Sequence, residues 1–381
     1  MPAKKPPSIS RPQKNKYKSS WDDIVSGTLV AGLFYGTLMD KAVVSLNFQG
    51  TSVLNAFKFQ SLALFKYYLL AIGVSLLLMA LVHYFTITRF FFNDSKRSLR
   101  TPKSSVKLVI GSILSGIGMV VAGSDLAFLL AQAGCGYSSA KFALGGAMFG
   151  TILFSLVGDR FFGDMVRVED TMEKNLIGKP YHISACIIGA VMVFVGLVLE
   201  FSSSYTKEFD MVSNSPTFEG YFWVFYERSW SPVTCGILVG IMQFGMIVIV
   251  SEGSELKDTF LPIVSQITRI DKNLFKKDDF PLLYKKKNVT AMNFWHFLFA
   301  AGIYFGGFLS TWLTENDKFH QSNGIGPARA ALGGIILMFG AQITGATISG
   351  HVLTGIGHLS MNSVLSILFS FATAMMLSSV Y

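Results

Sequence analysis

Charge is scarce in this chain. Asp, Glu, Lys and Arg make up 14% of its 381 residues, against about 25% in an ordinary soluble domain, which excludes a typical cytoplasmic enzyme. Cysteine is scarce too. Cys135, Cys186 and Cys235 match no metal-binding spacing, and their odd number argues against a disulfide framework. No proline falls in the middle of a long apolar run, so the helices are expected to be regular, with punctuation at their ends. No P-loop, nucleophile triad or metal cluster is visible. Enzyme chemistry and a cofactor are therefore not expected. The N-terminus has no apolar segment of the kind a secretory signal needs, and no acid before Asp22.

What is abundant is apolar surface. The hydrophobic set supplies 51% of the residues, mean hydropathy is +0.47, and there are 34 Phe and 36 Gly. Nine stretches are long enough to cross about 30 Å of hydrocarbon as helices: 25–44, 66–90, 105–123, 139–158, 183–202, 232–251, 291–313, 328–345 and 360–380. Basic residues test this count independently. The tail (Lys4, Lys5, Arg11, Lys14, Lys16, Lys18) and the even connections together hold 22 Lys and Arg. The opposite side holds four: Lys58, Lys207, Arg228 and Lys318. That asymmetry puts the N-terminus inside and the C-terminus outside, and it accounts for the net charge of +9 without a nucleic-acid partner.

Four connections, 46–63, 124–137, 252–268 and 346–359, mix apolar residues with Gly, Ser and Thr. They read as re-entrant half-helices, which survive at membrane depth only inside protein or beside water. Their order predicts an all-α polytopic membrane protein of nine transmembrane helices and four re-entrant half-helices, arranged as two inverted repeats. A basic tail, 1–24, precedes the first repeat, 25–158, with four spans and two re-entrant segments. A linker, 159–231, carries the fifth span, 183–202. The second repeat, 232–381, has four spans and two re-entrant segments. A shift of 222 places Gly118 on Gly340, Gly123 on Gly345 and Ser138 on Ser360, and a shift of 208 places Gly32 on Gly240.

At 339–363, FGAQITGATISGHVLTGIGHLSMNS, the chain resembles the YeeE/YedE family of sulfur-compound transporters. Gly340, Ala341, Gly345, Ser349, Gly350, His351, Gly355, Gly357, Ser360 and Ser363 fit the family's G-A-x-x-A-G-G-C-T-S-G-H segment and the small and serine residues after it. Residues 116–140 look like a weaker first-half copy, and 31–45 like the first motif. The resemblance implies a sulfur-transport fold and a substrate path lined by three cysteines. At those positions this chain has Ser45, Asp125 and Thr347. Ser and Thr hydroxyls still donate to an anion, whereas Asp125 donates only when protonated. Ionised and about 4 Å from a like charge, it costs roughly 4 kcal/mol at an effective dielectric near 20, about a thousandfold in affinity.

Other polar residues stand beside these. Asp40 and Lys41 end the first span, and Glu252 and Glu255 open the third re-entrant piece, where carboxylates suit a helix N-terminus. His351 and His358 flank a turn; either suits proton coupling or a hydrogen bond to a nearby carbonyl. The candidate substrate path is Ser45, Asp125, Thr347 and His351, with no metal site. Phe128, Phe142, Phe149 and Phe339 are expected to plug the cleft around Asp125 and Thr347, leaving no continuous polar route.

Three functions follow. The first is a transport-inactive accessory subunit of a larger membrane complex, contacting protein partners through the basic tail and residues 269–290. The second is a transporter of thiosulfate or another small anion that uses hydroxyls in place of thiols. The third is a proton-coupled transporter of changed specificity. The expected partner common to all is the lipid bilayer. The basic tail without a signal peptide points to the mitochondrial inner membrane, with a bacterial plasma membrane as the alternative.

Overall fold

The computed structural model describes residues 21–42, 56–57, 61–84, 100–162, 165–167, 180–203, 230–250, 253–266, 291–313 and 325–380. Helices stand at each of the nine expected stretches. They are α1 (Trp21–Lys41), α2 (Ala63–Tyr84), α3 (Ser105–Ala122), α4 (Leu126–Gly134), α5 (Ser138–Leu153), α6 (Tyr181–Ser202), α7 (Pro232–Val250), α8 (Leu261–Val264), α9 (Ala291–Leu313), α10 (Pro327–Thr344), α11 (Ile348–Gly350) and α12 (Met361–Ser378). The helix α4 and the short α8 and α11 lie outside those stretches, as does a single further turn, Asp159–Phe162. Among the described residues seven helical stretches are long and apolar enough to cross a membrane, two of them running through a break: Ser105–Gly134 and Pro327–Gly355. The chain is an all-α polytopic membrane protein. The one sheet described is a two-stranded antiparallel ribbon, β1 (Arg100–Pro102) with β2 (Met165–Arg167), pairing Thr101 with Val166.

Glycine decides how closely these helices approach. Gly118 lies against Leu337 and Gly340 against Ser115; Gly111 lies against Ile343 and Thr344, and Gly333 against Val121 and Ala122. Thus α3 and α10 cross antiparallel. Each contact also recurs under the 222-residue shift, since 118 and 337 become 340 and 115. On the other side of the molecule, Gly32 and Gly36 of α1 meet Gly302 and Gly306 of α9 in a parallel pair. Gly236 and Gly240 of α7 meet α2 between Tyr67 and Ser75 in the same way. This packing equates Gly32 with Gly236, an offset of 204, one helical turn from the 208 read in the sequence. Small residues four apart let backbones approach where lipid supplies no hydrophobic drive. Thr37 Oγ1 adds a hydrogen bond across the first pair, donating to Gly306 O at 3.2 Å.

Helix α6 stands at the edge. Ile187, Val191, Phe194 and Phe201 on it are exposed, Phe201 by 91%, as befits a face turned to lipid. Its inner contact with α2 carries an ion pair, Lys66 Nζ to Glu200 Oε2 at 3.0 Å, and Lys66 also donates to Ser203 O.

Candidate functional site

Two helix breaks build the centre. Helix α3 ends at Gly123 (φ 87°) and α10 at Gly345 (φ 90°), both in the left-handed region that glycine enters at little cost. After each break an extended residue starts a new helix: Asp125 (φ −77°, ψ 163°) before α4 and Thr347 (φ −69°, ψ 165°) before α11. The matching angles at positions 222 apart make the two breaks counterparts. Helix α4 is buried at every residue from Leu126 to Gly134. Helix α11 continues into a wider π turn, His351–Gly355, a form that clusters at functional sites.

The third expected half-helix takes another form. Residues 253–260 run as an irregular loop, buried from Gly253 to Leu256, followed by α8. Glu255 Oε1 accepts from its neighbours Leu256 N (2.9 Å) and Lys257 N (2.8 Å). That local bonding competes with a helical ladder. Of the piece 46–63, most lies outside the described residues.

The segments after the two breaks meet the loop 253–260. Asp125 Oδ2 accepts from Ser349 N at 3.0 Å. Glu255 Oε1 accepts from Thr347 N at 3.0 Å and from Thr347 Oγ1 at 3.4 Å. Thr347 Oγ1 accepts from Gly350 N at 3.2 Å, capping α11, and pairs with Ser349 Oγ at 3.3 Å. Gly350 has no side chain where Glu255 lies: a Cβ there would run into the carboxylate. Both acids are buried, Asp125 at 1% and Glu255 at 8% exposure. The amide groups that open α11, the natural seat of an anion at a helix N-terminus, are therefore occupied by the protein's own carboxylates.

Of the sequence-named residues, Asp125 and Thr347 come together through Ser349. His351 lies one turn further, buried, its Nδ1 3.1 Å from Ser363 Oγ. Ser45 lies outside the described residues, as do the tail to residue 20 and the segment 269–290.

The expected aromatic plug is correct at one position and wrong at others. Phe128 is buried, with Tyr67 and Tyr68 each 6.1 Å away between ring centres. Phe142 and Phe149 are 49% exposed at the perimeter, because α5 turns its small residues Ala143, Gly146, Ala147 and Gly150 toward α10. Phe339 packs on Phe154 at 5.5 Å. Nor is polarity absent: hydroxyls link Asp125 to Glu255. Sequence reasoning missed the buried Tyr35, Tyr67 and Tyr68, of which Tyr67 and Tyr68 pack on Phe128 of the helix that Asp125 opens. It also missed Gln243, which bonds Thr354 Oγ1 at 3.1 Å and accepts from Ser254 N at 3.2 Å. The available signal was a polar residue inside an apolar run.

No curated protein matches the chain. A family model described as sulphur transport matches residues 47–376, spanning both helix breaks and nearly all the described helices. With that match over most of its length, the chain belongs to the sulphur transport family.

Proposed function

We propose that this protein keeps the sulfur-transporter fold without its anion passage and serves as a non-transporting subunit of a larger membrane assembly, in the mitochondrial inner membrane. One observation carries this. The amides at the start of α11 are held by Asp125 and Glu255, so a divalent oxyanion arriving there meets two carboxylates instead of free donors. Tyr67, Tyr68 and Phe128 pack their rings together on α4, the helix that Asp125 opens, which supports a narrowed passage. The reading includes nine spans in two inverted halves, supported by the contacts of α3 with α10 that recur under the 222-residue shift. It also includes protein contacts through the basic tail and residues 269–290, supported by their density of Lys and Arg.

The test is uptake of labelled thiosulfate by liposomes holding the purified chain. The expected rate equals that of protein-free liposomes, for the wild type and for Thr347→Val alike. Uptake that Thr347→Val abolishes would instead make this an anion transporter working through hydroxyls. Native mass after mild detergent extraction should exceed that of the chain alone. A second reading, a carrier of changed specificity, is favoured by Asp125 Oδ1 and Glu255 Oε2, which are buried and have no hydrogen-bond partner among the described residues.

A further inference from the structure

Two buried carboxylates meet one turn of chain, and each keeps an oxygen without a partner. Asp125 Oδ2 accepts from Ser349 N and Glu255 Oε1 from Thr347 N, amides two residues apart at the start of α11. Asp125 Oδ1 and Glu255 Oε2 have no hydrogen-bond partner among the described residues, although both side chains are buried. Glu255 Oε2 lies against Gly350, so this free oxygen is held at the same turn. Neither acid makes an ion pair among the described residues. A carboxylate withdrawn from water needs a counter-charge or donors for its remaining lone pairs.

The hydroxyls beside the two acids supply more oxygen at a telling spacing. Thr347 Oγ1 is 3.3 Å from Ser349 Oγ and 3.4 Å from Glu255 Oε1. Both are long for O–H···O hydrogen bonds, which run at about 2.5–3.0 Å. They match neighbouring ligands of a cation instead. Oxygens at right angles around Ca²⁺, each about 2.3–2.6 Å from it, lie about 3.3–3.7 Å apart. Around Mg²⁺, at about 2.0–2.1 Å, the same edge is only about 2.8–3.0 Å. Ser254 Oγ, one residue before Glu255, is a further buried oxygen with no partner among the described residues.

We propose that the turn 347–350 binds one Ca²⁺ ion, through the hydroxyls of Thr347 and Ser349 and the free carboxylate oxygens of Asp125 and Glu255. Every donor is a hard oxygen, which suits Ca²⁺ and not a soft transition metal. Charge selects in the same direction. Two carboxylates and one divalent ion leave the buried turn neutral, whereas Na⁺ would leave a net negative charge inside the protein. Water completes the six to eight oxygens that Ca²⁺ takes. The sequence gave no sign of such a site, because its donors come from three separate segments and two of them are neutral hydroxyls. The ion ties the loop 253–260 to the segments after both helix breaks. It leaves the α11 amides occupied, so the inference goes beyond the non-transporting role without depending on it.

The test uses the full chain purified in detergent and stripped of metal with a chelator. Titration with radiolabelled calcium should load one ion per chain. Calcium should raise the melting temperature by several degrees, in proportion to its occupancy, and equal concentrations of Mg²⁺ or Na⁺ should not. Glu255→Gln keeps an acceptor for the amides of Leu256, Lys257 and Thr347. It and Asp125→Asn should each weaken calcium binding at least about tenfold, since each removes ligand charge. A wild type that retains no calcium, equal stabilisation by Mg²⁺ or Na⁺, or two variants that bind calcium as tightly as wild type would overturn the proposal. The wild-type titration decides even where a variant fails to fold. Thiosulfate uptake is measured separately in liposomes, so the two proposals fail independently.

Discussion

Gly345 combines two demands at one residue. Its φ of 90° suits glycine, and a Cβ there would strike Arg100 O of β1. The left-handed conformation alone costs an alanine about 1–2 kcal/mol, and displacing the strand adds to that. Gly345→Ala should therefore lower the unfolding temperature clearly in detergent. Gly145→Ala, where a Cβ meets nothing within 4 Å in the middle of α5, should raise it slightly, by about 0.5–1 kcal/mol in stability. Equal shifts would remove the role given to the break. Lys66 makes a second residue-scale case. It is buried at 0% and tied to Glu200 and Ser203 O, so Lys66→Ala strands a carboxylate at roughly 3 kcal/mol. Lys66→Met with Glu200→Leu should recover much of that loss in the same melting assay. Asp125 and Thr347 were named from the sequence because the family resemblance puts path cysteines at their positions, each two residues past a glycine that ends a helix. The partnership of Glu255 with Thr347 was not, since it joins residues 92 apart in the chain. No local pattern encodes such a contact.

At the scale of elements, apolar length and glycine placement predicted most of the helices, and the half-helices α4 and α11 fall where re-entrant pieces were expected. The failure at 253–260 has a cause in one side chain. Composition there permits a helix, but Glu255 bonds the two amides that follow it and then α11, and the loop gains a partner across the centre in exchange for a ladder. The crossing of α3 and α10 carries a test of its own. Gly118 meets Leu337 as Gly340 meets Ser115, so a methyl added at either glycine intrudes on equivalent backbone. Gly118→Ala and Gly340→Ala should each cost about 1–3 kcal/mol, by similar amounts. A large loss at one position and none at the other would show that the two crossings are not counterparts.

For the whole molecule, the sequence speaks most clearly through charge. Helix formation does not depend on which face of the membrane a loop occupies, but insertion does, and Lys and Arg resist transfer. That is why orientation can be expected from residues whose fold lies outside the described part, while the site's inner contacts cannot. The expectation is specific: the tail, 91–104, 159–182 and 252–290 share one side, because together they hold 22 basic residues against four in the connections opposite. Inverted halves require this arrangement, since an odd span, α6, must stand between the two four-span units. Single cysteines placed at Lys18, Lys285 and Ser213 in an otherwise cysteine-free chain would test it in sealed, right-side-out vesicles. An impermeant maleimide added outside should label Ser213→Cys alone, and the other two should react only after the membrane is opened. If Lys285→Cys reacts from outside while Lys18→Cys does not, an even number of crossings cannot separate them. The two halves would then enter the membrane in the same sense, and the pairing of Gly123 with Gly345 could not arise from inverted repeats.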